Sequence, residues 1–350
     1  MDSIQMIMNV FNTLAGKTKS ILKVIFFGFG FLILLIVGLI CFLFYRSSTE
    51  IKQFISVNEA EKIAIIVAHQ DDGVIIAGGY AIQTLKSGGS VKVVYLTNGA
   101  FKNDFELANK RKREAIITWK LIGLGEQDII FLNYWQLELE YNIDRAVFQV
   151  SKILKYGKFD KIFIPLYEGG HHDHDMVNYI VSLANKVNSV KSEIYECPLY
   201  NLYYSLTNTP EKILYQLSRI IPYWDYGAPP SFVDKTGRIY LNMSKQELKL
   251  KRKMLSQFKS QGGRSLANQY SFNDRYQKHT DHDYSNPPFN YDMSFVKLVN
   301  KFKSLPVIGS LIEKVFRRSV TIHREDLSQV QRFKIIPNDQ ILILPIFQWR

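Results

Sequence analysis

Two short segments of the sequence concentrate the side chains that could perform chemistry. The first contains His69, Asp71 and Asp72, and the second contains His171 and His174. Four of the seven histidines in the chain lie in these two segments. Neutral imidazole nitrogen and carboxylate oxygen are the ligands of catalytic Zn²⁺, which keeps three protein ligands and an open position for water. His69, Asp72 and a histidine of the second segment would supply such a set.

Each segment follows a short apolar run that predicts a buried β-strand. Along the chain, such runs alternate with stretches of helical period, which is typical of parallel βαβ units. The predicted strands are Lys62–Ala68, Val91–Leu96, Ile129–Leu132, Lys161–Pro165 and Ile194–Tyr200. The predicted helices between them are Val74–Ser87, Asn103–Leu121, Ile143–Tyr156 and Asp175–Asn188.

These elements predict an α/β fold, a Rossmann-like open parallel sheet with helices on both faces, preceded by one N-terminal transmembrane helix. Ligands bind outside the carboxyl ends of the strands in such sheets, so the two segments are expected to meet at one edge. Either segment alone is more simply interpreted as a solvated loop. Together they favour a metal site, because buried carboxylates beside histidines are costly without a cation. No GxGxxG motif follows the first strand, so a dinucleotide site is not expected.

The transmembrane helix is predicted at residues 24–45. Val24 to Tyr45 form a run of twenty-two uncharged residues, which as a helix is long enough to cross about 30 Å of hydrocarbon. The competing interpretation is a cleaved secretory signal, which the length of the run and the lack of a small-x-small cleavage site disfavour. Lysines before the run weakly favour a single-pass protein whose soluble part is non-cytoplasmic.

The composition indicates a folded protein with an anionic partner. Of the 350 residues, 47% are hydrophobic and 22% are charged, which excludes disordered and collagen-like chains. Two cysteines, Cys41 and Cys197, cannot form a disulfide framework. The net charge of +12 favours an anionic partner such as membrane lipid, nucleic acid or an acidic glycan. No base-reading motif accompanies it, so nucleic acid is not a predicted partner, and the oligomeric state stays open.

At the two segments the sequence resembles the PIG-L (LmbE-like) family of zinc-dependent N-acetylglucosaminyl de-N-acetylases. The family motif AHPDDE appears as AHQDDG at Ala68–Gly73, and the motif HxDH appears as HHDH at His171–His174. The resemblance covers about residues 60 to 292. Four further segments resemble other signatures of the family: Thr97–Gly99 (TNG), Glu196–Tyr200 (ECPLY), Lys259–Gln261 (KSQ) and His282–Pro288 (HDYSNPP).

The resemblance implies a role for each residue of the two segments. His69, Asp72 and His174 are expected to bind Zn²⁺ or another divalent metal. Asp71 is expected to act as the general base, and His171 to assist the oxyanion or the leaving amine. The implied reaction is hydrolysis of the acetamide of an N-acetylglucosamine-type sugar on a lipid or envelope glycan, which releases acetate.

Two departures from the first motif keep other functions open. Gln70 stands where the family has proline, and Gly73 stands where it has glutamate, changes that could loosen the loop or weaken ligand orientation. The alternatives are a non-catalytic, membrane-tethered glycan-binding protein and an amidase for another N-acyl substrate. Arg111, with Glu114, fits the spacing of a family arginine–glutamate pair and implies a substrate contact. The alternative for Arg111 is an exposed basic helix.

The predicted organisation is an N-terminal tail (1–23), the transmembrane helix (24–45), a linker (46–60), the deacetylase domain (61–292) and a C-terminal extension (293–350). Ser244–Gln261 predicts a basic helix with a solvated charged face. The polar loop predicted at Arg264–Pro288 contains His279 and His282, which are interpreted as incidental rather than as ligands. Ser294–Arg318 is amphipathic and predicts either a helix packed on the sheet or an interfacial helix close to the membrane.

Overall fold

The computed structural model describes residues 26–35, 37–38, 41, 53–167, 171–188, 191–197, 199, 239–270 and 274–284. The chain divides into two units, Met1–Ile51 and Lys52–Arg350. In the first unit the described residues are helical, and large apolar side chains such as Phe26 and Leu34 are exposed. Within the described part of the chain, no helix is both long and apolar enough to cross a membrane. The predicted span at 24–45 lies partly outside the described residues and stays a prediction.

Strands and helices alternate along the second unit. The strands are β1 (Gln53–Ile55), β2 (Lys62–Val67), β3 (Ser90–Thr97), β4 (Ile129–Tyr134), β5 (Lys161–Pro165), β6 (Glu193–Cys197), β7 (Ile239–Leu241) and β8 (Arg275–Lys278). The α-helices are α1 (Asp72–Lys86), α2 (Phe105–Lys120), α3 (Ile143–Gly157), α4 (His172–Asn188), α5 (Lys245–Leu255) and α6 (Gly263–Tyr270). Short 3₁₀ helices lie at Glu126–Asp128, Leu139–Asn142 and Lys259–Gln261.

The strands form one mixed sheet in the order β1-β7-β8-β6-β5-β2-β3-β4. The five predicted strands, β2 to β6, pair in parallel. In contrast, β8 is antiparallel to both of its neighbours, β6 and β7, so the prediction of a purely parallel sheet is wrong at this strand. The strands that the sequence did not reveal, β1, β7 and β8, have only three or four residues, too few to show a strand period.

Helices cover both faces of the sheet, as the sequence predicts. Alternate residues of β2 enter two separate cores: Ile63 and Ile65 belong to one, and Ala64 and Ile66 to the other. Residues of α1, α2 and α5 complete the first core, and residues of α3 and α4 complete the second. This double burial explains why β2 reads as a continuous apolar run.

The path of the chain brings the two motif segments together. From β2 the chain continues to β3 and β4 on one side, and it returns to β5 on the other side of β2. Ligand sites of open α/β sheets lie at such a switch point, outside the carboxyl ends of the strands. AHQDDG follows β2 and HHDH follows β5, and each leads directly into a helix, α1 or α4. The sequence predicts a loop at HHDH and a helix that begins at Asp175, but His172–His174 form the first turn of α4.

The C-terminal part of the second unit departs further from the sequence prediction. Helix α5 ends at Leu255, earlier than the predicted Gln261, and begins with a capping box in which Ser244 and Glu247 bond reciprocally. The segment predicted as a loop at 264–288 contains most of α6 and all of β8. Residues 293–350, including the predicted amphipathic segment, lie outside the described residues.

Candidate metal centre

Three buried side chains at the switch point form the centre of the site. His69 follows β2, Asp72 is the first residue of α1, and His174 lies in the first turn of α4. Their exposed fractions are 5%, 1% and 0%. The backbone N–H of His69 donates to Asp72 Oδ2 at 2.7 Å, so the turn from strand to helix itself fixes the position of the carboxylate.

The three side chains point one atom each at a common centre. These atoms are His69 Nδ1, His174 Nε2 and Asp72 Oδ2. Each pair of them is 3.2 Å apart, so they form an equilateral triangle. Ligand atoms on a tetrahedral Zn²⁺, with bonds of about 2.0 Å, lie about 3.3 Å apart. The triangle therefore has the dimensions of one face of a tetrahedral metal site, and its N, N, O donor set suits zinc or another divalent transition metal.

Asp173 holds His69 in the orientation that this geometry requires. His69 Nε2 lies 3.0 Å from Asp173 Oδ2, and a proton on Nε2 leaves the lone pair of Nδ1 directed into the triangle. Asp173 also accepts the backbone N–H of Leu137, with distances of 3.0 and 3.1 Å to its two oxygens. Leu137 has a φ of 62°, a conformation that costs a non-glycine residue about 1–2 kcal/mol. Strained backbone conformations of this kind are common at functional sites.

The electrostatics of the triangle favour a cation. Although burial by itself lowers it, the carboxylates of Asp72 and Asp173 raise the pKa of His69 to about 10. Burial opposes ionisation of Asp72, yet His174 and His69 hold the pKa of that carboxyl well below its usual range. The surroundings therefore stabilise a positive charge between the imidazoles and the carboxylate, where a divalent metal would compete with the proton.

Asp71 flanks the triangle and is more accessible than its members. It is half-buried, and its Oδ1 accepts a hydrogen bond from the side-chain amide of Gln261. Burial first, and the neighbouring charge of Asp72 second, raise the pKa of Asp71 to about 7. A carboxylate with this pKa can accept and return a proton near neutral pH.

His171 is the second accessible neighbour of the triangle. Its ring centroid lies 4.7 Å from those of His69 and His174, and one nitrogen of each of the three rings lies within 4.8 Å of the others. His171 Nδ1 accepts the backbone N–H of Asp173 at 3.1 Å, which places the proton of the neutral ring on Nε2. Burial, followed by the charges of His69 and His174, lowers the pKa of His171 well below its ordinary value.

Arg111 lies at the site and not on an exposed helix face. Its guanidinium donates to the carbonyl of Gly99, in the segment that follows β3. Burial lowers the pKa of Arg111, and the nearby carboxylate of Asp71 opposes that change. Glu114, one turn further along α2, is buried and accepts from Ser260 N at 3.0 Å and from Ser260 Oγ at 2.6 Å.

The structure therefore brings together all six residues predicted for the site: His69, Asp71, Asp72, Arg111, His171 and His174. Their catalytic and ligand roles stay predictions. Sequence reasoning did not assign roles to Gln261 and Asp173, which orient Asp71 and His69. The signal for Gln261 was its place in the KSQ segment, and the signal for Asp173 was its place in HHDH.

Fold and site together define an α/β protein with a candidate divalent-metal centre at the switch point of its sheet. Residues 64–185 match the family model described as PIG-L: GlcNAc-PI de-N-acetylase. The chain therefore contains a PIG-L family domain over these residues, which include both motif segments. The sequence has no match among curated proteins.

Several solved structures have a similar fold. N,N'-diacetylchitobiose deacetylase from Pyrococcus horikoshii is 20% identical with a TM-score of 0.42, over 67% of this chain and 86% of that chain. A deacetylase in the biosynthesis pathway of teicoplanin is 11% identical with a TM-score of 0.44, over 63% and 100% of the two chains. The 4-carboxy-2-hydroxymuconate hydratase GalB from Pseudomonas putida KT2440 is 12% identical with a TM-score of 0.38, over 64% and 98%. Similarities at this level concern architecture and not chemistry.

Proposed function

We propose that the second unit hydrolyses the acetamide of an N-acetylglucosamine-type sugar carried on a lipid or envelope glycan, and releases acetate. One observation carries the proposal. The 3.2 Å triangle of His69, Asp72 and His174 is flanked by an accessible carboxylate and imidazole, within a segment that matches a de-N-acetylase family model. Amide hydrolysis needs an activated carbonyl, a proton acceptor for water and a proton donor for the amine.

The triangle would hold one divalent metal, which we propose to be Zn²⁺. When bound, such an ion supplies Lewis-acid polarisation of the amide carbonyl and makes a water molecule more acidic. Because the triangle members are buried while Asp71 and His171 are half-buried, substrate reaches the site from the side on which these two residues lie.

Asp71 is the proton acceptor in this mechanism. Gln261 occupies its Oδ1, which leaves Oδ2 to take a proton from the attacking water. As the C–N bond breaks, the same oxygen returns the proton to the amine nitrogen. A pKa of about 7 suits both transfers.

His171 stabilises the carbonyl oxygen as it gains negative charge. Because its Nδ1 accepts the N–H of Asp173, the neutral ring donates through Nε2 and needs no second proton. A donor held in place before the reaction lowers the barrier more than water does. Arg111, anchored to the carbonyl of Gly99, is proposed to contact the sugar beside Asp71.

Membrane residence is part of the proposal. The described residues of the first unit are helical with exposed apolar side chains, among them Phe27, Phe31 and Leu35, as expected for a segment covered by lipid. The proposed protein is single-pass, with its second unit on the non-cytoplasmic side and close to a lipid-linked substrate.

The proposal is tested by acetate release from the purified full chain loaded with Zn²⁺. The substrates are free, oligomeric and lipid-linked N-acetylglucosamine conjugates, with N-acyl amino acids as the comparison. We expect release from the sugars, fastest from the lipid-linked ones. Release only from the N-acyl amino acids would favour the amidase, and sugar binding without any release would favour the glycan-binding protein.

Asp71→Asn separates the base from the ligands. The substitution removes the proton acceptor only, so we expect normal metal content and a fall in turnover of about a hundredfold or more. Asp72→Asn is the matched control, because it removes a ligand of the triangle and should lose metal. Metal content by mass spectrometry and acetate release are measured on both. Near-normal turnover of Asp71→Asn, or metal loss equal to that of Asp72→Asn, would show that the two roles are assigned wrongly.

A further inference from the structure

A second cluster of ligand-type side chains lies on β6 and just after β8. Glu196, His279 and His282 each present one nitrogen or oxygen atom, and the three atoms lie within 4.8 Å of one another. His279 Nδ1 is 2.8 Å and His282 Nε2 is 2.5 Å from the same oxygen, Glu196 Oε1. The antiparallel pairing of β6 with β8, which sets Glu196 opposite Gln277, brings the late histidines to this carboxylate.

The carboxylate of this cluster is buried and ionised. Glu196 has no exposed surface. Both of its oxygens accept hydrogen bonds from side-chain amides, as an ionised carboxylate does. Among the residues that the structure describes, no lysine or arginine forms an ion pair with Glu196. A buried negative charge needs a compensating positive one, which a bound cation would supply.

The contacts of Glu196 Oε1 are more numerous than its lone pairs. Besides the two imidazole nitrogens, the amide of Asn178 donates to this oxygen at 2.8 Å, so three groups converge on an atom that offers two lone pairs. The other oxygen is held by the amide of Gln277 at 2.7 Å. A cation between the imidazoles and Oε1 would turn both rings from competing donors into ligands, while both amides keep the carboxylate in place.

We propose that Glu196, His279 and His282 bind one divalent transition metal of the zinc class, at a site separate from the triangle. The N, N, O donor set and an open fourth position suit Zn²⁺. With Nδ1 on the metal, His279 donates Nε2–H to Ser182 Oγ, which lies 3.2 Å away, the kind of partner that orients metal-binding histidines.

Metal binding requires a small opening of the cluster. Tetrahedral ligand separations of about 3.3 Å exceed the present nitrogen–oxygen distances by about half an ångström or more. The histidine side chains can move, because they are 13% and 18% exposed, whereas the carboxylate is fixed. The bound metal would link the segment after β8 to Asn178 and Ser182 of α4, the helix whose first turn carries His174. This proposal does not rest on the proposed reaction.

The experiment counts metal ions per chain. The full chain, free of a polyhistidine tag, is stripped with a chelator, titrated with Zn²⁺ in a calorimeter, and analysed for bound metal by mass spectrometry. We expect about two equivalents in the unaltered chain and about one in His69→Ala/His174→Ala. Glu196→Gln is the decisive variant, because the amide oxygen still accepts hydrogen bonds from both imidazoles but lacks the charge of a ligand. It should reduce the content from two equivalents to one.

Two results would overturn the proposal. One is a single equivalent in the unaltered chain that His69→Ala/His174→Ala abolishes while the far-ultraviolet circular dichroism stays unchanged. The other is an unchanged stoichiometry in Glu196→Gln, which remains informative if the double variant fails to fold. Either result would make the cluster a hydrogen-bonded network only. Gln277→Ala is the control for the region, because it removes a donor to Glu196 and no ligand, and it should keep both equivalents.

Discussion

The residues that depart from the family motif are supported by neighbours in this chain. Gln70 replaces the expected proline, and its side-chain amide donates to Thr97 O at 3.0 Å. Its own carbonyl accepts from Tyr95 Oη at 3.0 Å, and Trp119 Nε1 donates to the same hydroxyl at 2.6 Å. These bonds fix a loop that lacks the rigidity of proline.

Trp119 also explains why glycine stands at position 73. A Cβ added to Gly73 would lie 3.1 Å from Trp119 Cζ2, which is tighter than ordinary van der Waals contact. The indole therefore lies directly beside this residue, and any side chain at position 73 would require it to shift by a few tenths of an ångström. The substitutions are matched to their surroundings, which favours a functional loop over a degenerate one.

Tyr95→Phe tests this support. The substitution leaves the buried Trp119 N–H without its acceptor and removes the donor to Gln70 O, so we expect the free energy of unfolding to fall by about 1–3 kcal/mol. Because Gln70 lies between His69 and Asp71, metal affinity should fall by about tenfold or more. Chemical denaturation and zinc calorimetry measure the two effects. Tyr156→Phe, at a residue that is 75% exposed, is the control, and an unchanged zinc affinity in Tyr95→Phe would restrict Tyr95 to a structural role.

Among the elements, α1 has a feature that its sequence pattern does not reveal. The helix is broken at Ala77, where φ is −140° and ψ is 21°. Lys251 of α5 donates to Ile75 O at 3.1 Å, and Asp274 accepts the N–H of Tyr80 at 2.8 Å. The two side chains also pair with each other at 2.5 Å, with no exposed surface on either. A buried lysine–aspartate pair thus satisfies the backbone groups on both sides of the break.

Lys251→Met is expected to destabilise the fold strongly. It leaves Asp274 as an uncompensated buried charge, a change that costs about 3–5 kcal/mol. The double variant Lys251→Met/Asp274→Asn should recover part of this loss, because the unpaired charge is gone. Thermal unfolding of each variant gives the comparison, with the exposed Lys253→Met as a control that should change stability by about 0.5 kcal/mol or less. Equal destabilisation by Lys251→Met and by the control would contradict the role of the pair.

The elements that the sequence predicts are those with long, regular patterns. Strands β2 to β6 and helices α1 to α4 have apolar runs or helical periods bounded by turn residues. Strand β8 reads Arg-Tyr-Gln-Lys and is set by its pairing with β6 and β7, which no local pattern encodes. The sequence of helix α5 predicts a solvated basic helix, yet Lys251 is fully buried because it pairs with Asp274. The local pattern does not show this pairing, since Asp274 lies 23 residues further along the chain.

The site was predictable in its residue types and not in its geometry. Strand ends bearing histidine and aspartate indicate a metal, but the 3.2 Å triangle depends on how β2 and β5 lie side by side. The contact of Gln261 with Asp71 spans 190 positions. Likewise, His279 and His282 read as incidental loop residues, because the sequence does not show that Glu196 lies opposite β8.

At the scale of the whole molecule, the second unit extends beyond the matched family segment. That segment ends at residue 185, whereas the sheet continues to Lys278 of β8. Gln261, which donates a hydrogen bond to Asp71 in the site, also lies beyond the segment. The predicted domain limits, 61–292, therefore stay a prediction.

The predicted amphipathic segment, 294–318, has two interpretations, a helix packed on the sheet and a helix that binds the membrane surface. Lys297, Lys301 and Lys303 lie among apolar residues of helical spacing. A helix packed on the sheet would have the same pattern, so the two interpretations differ only in what covers the apolar face. Lipid binding is salt-dependent and packing inside a fold is not.

A variant lacking residues 1–49 separates these interpretations by co-sedimentation with vesicles. If the segment is interfacial, the variant should sediment with anionic vesicles at low salt, because each lysine near the surface contributes about 1 kcal/mol. Binding should weaken as salt rises and should be weaker with neutral vesicles. Changing the three lysines to glutamate in the same variant should then abolish sedimentation. The same change in the full chain should not, if the predicted span at residues 24–45 anchors it. A truncated variant that stays in solution with both kinds of vesicle, or whose binding ignores the charge reversal, would leave membrane residence to the N-terminal segment alone.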